Sequence, residues 1–177
     1  MTVRIGQTIP DITVPAYVRG GYEPEPINVA EQRGAWTVLF FYPRDFTFVC
    51  PTELAAFAEL HEAFLDANAI LLAASTDSWW VHRAWFSSEP LLAGVEYPVL
   101  ADTGHELSRA LGVLEDDGAC VRATFIIDSD GMVRHSSATD LSVGRSAEET
   151  LRLLQALQTG ELCPAGWRPG QETLQAA

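Results

Sequence analysis

One seven-residue stretch, Trp36-Thr-Val-Leu-Phe-Phe-Tyr42, limits this chain most: it is stopped by Pro43 and soon followed by helical periodicity. A short run without polar alternation reads as a strand covered on both faces, and such strands belong to sheets that carry helices on each side. Beyond it, Leu54, Phe57, Ala58, Phe64 and Leu65 recur at helical spacing, with Pro51 suited to the opening turn, so one helix is expected over 51–68.

The same alternation continues. Residues 69–75 read as a second buried strand, 81–87 as a helix and 97–101 as a short third strand. Thr103 and Glu106 have the spacing of a capping box before a helix at 106–111. Strands at 122–128 and 132–137 flank the hairpin signal Ser129-Asp-Gly131, and Ser146 with Glu149 caps a last helix reaching about Gln158. The Pro- and Gly-rich residues up to about 34 predict short strands and turns, with a hairpin at Gly20-Gly21. The expected fold is α/β: a thioredoxin-like arrangement in which a central mixed β-sheet is flanked by helices and extended by an N-terminal strand and hairpin.

Composition bounds the function. At 177 residues and 47% hydrophobic, the chain is long enough to bury a core as one domain. A net charge of −13 opposes unaided binding to nucleic acid or to anionic membranes. All 11 bases are arginines, so residue type alone gives no arginine a role. The longest apolar runs are too short to span a bilayer, and the first twenty residues lack a secretory pattern, so a soluble cytoplasmic protein is expected. Cys50, Cys120 and Cys163 are too few and too scattered for a secreted disulfide framework.

Cys50 is the informative cysteine. The segment Tyr42-Pro-Arg-Asp-Phe-Thr-Phe-Val-Cys50-Pro-Thr-Glu53 runs from the carboxyl end of a buried strand into the first turn of a helix, where open α/β sheets place ligands. Unpaired N–H groups and the helix dipole favour negative charge there, hence the thiolate, which is the nucleophilic form. Thr47 stands three residues before Cys50, where a dithiol motif would carry its other sulfur. The site therefore closes no local disulfide and offers a hydroxyl to an oxygen-bearing ligand.

Pro43-x-x-x-Thr47-x-x-Cys50 resembles the active-site motif of the peroxiredoxins. The longer string from Phe41 to Leu54 is similar to the peroxidase component of bacterial alkyl hydroperoxide reductase, a typical two-cysteine peroxiredoxin. The likeness continues through Ser75-Thr-Asp-Ser78, Ala84-Trp85, Arg122-Ala-Thr-Phe-Ile-Ile-Asp128, Gly144-Arg145 and Gly160-Glu-Leu-Cys163-Pro-Ala-Gly-Trp167. The resemblance implies a thiol-dependent peroxidase acting on hydrogen peroxide and organic hydroperoxides. Cys50 would be the peroxidatic cysteine, Thr47 the hydroxyl that binds peroxide, Pro43 the shield of the thiolate, and Arg122 the cation beside the sulfur. Glu53 would be the polar group supporting the arginines. Cys163 would be the resolving cysteine, supplied by the other subunit of a homodimer, with the dimers assembling into a decamer. The partner in turnover would be a dithiol reductant: thioredoxin, a flavoprotein disulfide reductase or a small dithiol adaptor. On this reading residues 1–160 form the thioredoxin-like peroxiredoxin domain and 161–177 a C-terminal segment carrying the resolving cysteine.

Taken singly, these residues have plainer readings. Pro43 ends a strand, Thr47 can bond its own turn, Arg122 can pair at a surface, and Glu53 is an acid in a helix's first turn. Cys120, two residues from Arg122, falls on the same strand face if the strand extends back to it. His61 lies on the apolar side of its helix and reads as a core histidine; His82, His105 and His135 share no metal-ligand spacing, so no metal is assigned. Trp79-Trp80 reads as core or interface. No glycine pattern makes a phosphate loop, so no cofactor is assigned. Three rival functions stay open: a thiol–disulfide oxidoreductase, for which no Cys-x-x-Cys exists; a cysteine hydrolase, which needs a histidine base at Cys50; and a redox-switched scaffold.

Overall fold

A computed structural model describes residues 4–175. Its sheet has seven strands: β1 (Thr13–Tyr17), β2 (Glu25–Asn28), β3 (Trp36–Phe41), β4 (Ala69–Ser75), β5 (Val99–Ala101), β6 (Arg122–Ile127) and β7 (Val133–Thr139), ordered β2-β1-β5-β4-β3-β6-β7. The three central strands β3, β4 and β5 run parallel, and both wings are antiparallel. The helices are α1 (Cys50–Glu59), α2 (His61–Asp66), α3 (Trp79–Ser88), α4 (Glu106–Leu111) and α5 (Ala147–Gln158).

The apolar run at β3 is buried on both faces, as its composition demands. Val38, Phe40 and Tyr42 enter one core with α1, α3 and α5, while Leu39 and Phe41 enter a second core with α4. Phe57 of α1 stacks on Phe40 with centroids 4.1 Å apart, and the Tyr97 hydroxyl donates to Leu54 O (2.7 Å), so the sheet holds α1 in place.

Several boundaries differ from the sequence expectation. The helix expected over 51–68 breaks at Leu60 (φ −102°, ψ 8°); the second segment turns so that Phe64 meets Phe57, leaving Leu65 44% exposed. The third strand begins at Val99, because Pro98 has no N–H to give to a ladder. No capping box forms at Thr103. The Asp102 carboxylate accepts from the N–H groups of Glu106, Leu107 and Ser108 instead, a stronger charge-assisted cap than a hydroxyl supplies. Helix α3 starts two residues early behind Ser78, whose hydroxyl accepts from Val81 N–H. The hairpin at 129–131 forms with Gly131 at φ +80°, and Ser146 caps α5 through Glu149 N–H. No helix among the described residues is long and apolar enough to cross a membrane.

Candidate active site

Chain direction and sheet order bring three distant residues together. Cys50 opens α1 at the carboxyl end of β3, and Glu53 lies one turn on, so both project from the same helix end. Arg122 opens β6, the antiparallel neighbour of β3, and so lies beside that same end. Its Nη1 donates to Cys50 Sγ at 3.3 Å and also to Glu53 Oε2 in a close ion pair, while Nε donates to Leu141 O (2.9 Å).

Glu53 is shared by two guanidinium groups. Its Oε1 accepts from Arg145 Nε (2.7 Å) and from the Arg145 backbone N–H (2.9 Å). Arg145 in turn donates through Nη1 to Ala123 O (2.7 Å) and lies over the Phe40 ring at 5.5 Å. Cys50, Glu53 and Arg122 are all at most 3% exposed. The sulfur therefore faces a guanidinium whose direction is locked by a buried carboxylate, in surroundings with two cations and one anion. Such an arrangement presents a fixed cationic donor to whatever is bound at the sulfur and meets negative charge that develops on it.

The β3–α1 loop holds the two remaining motif residues. Pro43 is half-buried at its start. The half-buried Thr47 donates its hydroxyl proton to Arg44 O (2.9 Å), as the plain turn reading foresaw; its lone pairs remain able to accept. Cys163 lies elsewhere. It follows α5, with its sulfur 3.3 Å from Thr159 Oγ1 and 3.6 Å from Ala156 O, beside an apolar groove lined by Leu153, Leu157, Leu162 and Leu174. All three cysteines are free thiols.

Cys120 is not on the site's side of the sheet. Strand β6 begins only at Arg122, so alternation does not carry back to it, and Cys120 packs with Leu107 and Leu111 in the second core. Burial, with Asp102 and Asp77 nearby, pushes its thiol up to about 12. His61 is only half-buried, edge-on to Tyr97; the fully buried histidine is His82. Trp79 is core and Trp80 is 69% exposed.

Sequence reasoning gave no role to Arg145, Asp45 or His82. Asp45 is the one acid of its loop, set between Arg44 and Phe46. His82 stands three residues from both Trp79 and Trp85, on the helix face that the aromatics bury. A buried titratable side chain requires a partner, and that was the available signal.

Residues 5–136 match the AhpC/TSA family and residues 156–177 match the C-terminal domain of 1-Cys peroxiredoxin. A thioredoxin peroxidase of Echinococcus granulosus is 45% identical over 98% of this chain and 93% of its own length. AhpC of Mycobacterium tuberculosis superposes with a TM-score of 0.86 at 40% identity, covering 95% of this chain and all (100%) of that one. A reduced 2-Cys peroxiredoxin of Plasmodium vivax superposes with a TM-score of 0.88 at 35% identity, covering 95% and 91%.

Proposed function

As a member of the AhpC/TSA family of peroxiredoxins, with the thioredoxin-like fold of that family, this chain is a thiol-dependent peroxidase, and we propose that Cys50 is the sulfur that peroxide oxidises. The observation that carries this assignment is the 3.3 Å contact from Arg122 Nη1 to Cys50 Sγ, fixed by the buried Glu53. Among the described residues no histidine is hydrogen-bonded to Cys50, which disfavours the hydrolase reading.

In the proposed reaction the Cys50 thiolate attacks the terminal peroxide oxygen. An S–O bond forms, the O–O bond breaks, and the departing oxygen leaves as water or alcohol once protonated. Thr47 accepts a hydrogen bond from the peroxide through its free lone pairs, and Arg122 meets the charge that grows on the departing oxygen. Pro43, at the loop's start, limits water's access to the sulfur. The sulfenic acid then condenses with Cys163 of the partner subunit, releasing water and leaving a disulfide. Because Cys50 is fully buried and a disulfide needs Cα atoms about 4.4–6.8 Å apart, the first turn of α1 must unwind for this step. A thioredoxin-type dithiol returns both sulfurs to thiols by exchange.

Homodimers assembling into a decamer, in the cytoplasm, complete the reading. The assembly, though not the compartment, is supported by the exposed aromatics of the β3–α1 loop and α3, where Phe46, Phe48 and Trp80 are 60%, 95% and 69% exposed. The test of the central assignment is stopped-flow oxidation by hydrogen peroxide. Cys50→Ser should abolish turnover with dithiol, and Arg122→Met should slow the first oxidation by at least ~10-fold, the value of a charge-assisted hydrogen bond. Turnover persisting in Cys50→Ser would overturn the reading.

A further inference from the structure

The loop that carries Thr47 is anchored by a buried cluster that the peroxidase reading does not use. Asp45, two residues before Thr47, is 7% exposed, and both of its carboxylate oxygens are engaged. Tyr42 donates its hydroxyl to Oδ1 (2.7 Å), and His82 Nδ1 lies 2.7 Å from Oδ2. The Asp45 N–H donates to Asp77 Oδ2 (2.8 Å), which also accepts from the Ser75 hydroxyl (2.9 Å). His82 has no exposed surface, and its Nε2 lies 3.3 Å from Leu100 O. One loop residue is thus gripped from just past the end of β3, from just past the end of β4, from α3 and, through His82, from β5.

The next residue explains why such a grip is needed. Phe46 has φ +55°, in the left-handed region, which a side chain of this size occupies only when its neighbours are held. Phe46 is 60% exposed, and among the described residues its one aromatic contact is to Trp85 at 6.0 Å, so packing of the ring itself does not hold the turn. Thr47 follows directly.

We propose that His82 is a positioning residue for the peroxide site: through Asp45 it holds the left-handed turn at Phe46 and so sets where the Thr47 hydroxyl stands relative to Cys50. The inference rests on the reading of Cys50 and Thr47 given above. Removing the imidazole leaves a buried carboxylate short of a partner, and the turn relaxes toward the right-handed basin, carrying Thr47 with it. Burial already pushes the Asp45 carboxyl up, with His82 opposing that rise. Arg122 and Glu53 sit on β6 and α1, so the Arg122 contact with the sulfur and its ion pair with Glu53 are kept. The effect is therefore selective: a reaction that uses the Thr47 hydroxyl suffers, and one that uses only the sulfur does not.

Two rates read this difference in the full chain, oxidation of Cys50 by hydrogen peroxide and its alkylation by iodoacetamide. His82→Leu should lose about 10-fold or more in the first and stay within about twofold in the second, since small misplacements of a positioning group cost rate at that scale. His82→Asn, whose amide N–H stands where Nδ1 stood, should recover the peroxide rate to within about threefold. If His82→Leu does not fold, Asp45→Asn read in the same two assays should show the same selective loss. An unchanged peroxide rate, or both rates falling together, overturns the inference. A wild-type Cys50 that peroxide does not oxidise would instead remove the peroxidase reading itself.

Discussion

Glu53 has almost no contact with water, yet it holds two arginines, one of which touches the Cys50 sulfur. Truncating it would leave two buried guanidinium groups without their counter-charge, a change that typically costs about 3–5 kcal/mol. Glu53→Ala should therefore lower the unfolding free energy in guanidinium titrations by roughly that amount, and a loss below ~1 kcal/mol would show that solvent reaches the pair. The residues of the site were unevenly legible. Cys50, Thr47 and Glu53 lie within one turn of a strand-to-helix junction, so their neighbourhood is written in chain order. Arg145 meets Glu53 across 92 positions and His82 meets Asp45 across 37. Neither pair has a local pattern, and only burial among aromatics hinted at His82.

Among the elements, β6 and β7 form the hairpin that begins with Arg122 and closes at Asp128. Burial would raise the Asp128 carboxyl, but the N–H groups of Met132 and Asp130 and the Arg134 guanidinium outweigh it and hold the carboxyl below its ordinary range. The unfolded chain then binds more protons than the folded one, so stability rises with pH. The contribution is fully present above the unfolded value of about 3.9 and is lost as pH falls through the folded value. Asp128→Asn should be destabilised at pH 7 and lose less further stability than wild type on going from about pH 5 to pH 2. Equal acid sensitivity in the two proteins would contradict this account. The hairpin was plain from Ser129-Asp-Gly131, because a turn needing positive φ selects glycine. The break at Leu60 was not, since apolar spacing records which side chains are apolar but not how a helix must bend to follow the sheet.

For the whole molecule, the alternation of buried runs with helical segments specified the layered α/β fold, but the order β2-β1-β5-β4-β3-β6-β7 rests on pairings between distant segments that no local pattern records. Assembly was less legible, because an exposed Trp80 beside a buried Trp79 looks the same in sequence. If the aromatic surface of the β3–α1 loop and α3 joins dimers into rings, Trp80→Glu should shift the reduced protein from ring to dimer in sedimentation velocity. An unchanged ring would place the ring contact elsewhere.

The central claim is that Cys50 takes the oxidation and Cys163 of a second subunit resolves it. One equivalent of hydrogen peroxide, followed by non-reducing electrophoresis and intact mass, tests this most directly. The account predicts a dithiol-reversible covalent dimer that is absent from Cys163→Ser, where Cys50 instead gains a single oxygen, and that persists in Cys120→Ser. An oxidised monomer bridged within one chain, or a dimer that survives loss of Cys163, would contradict it.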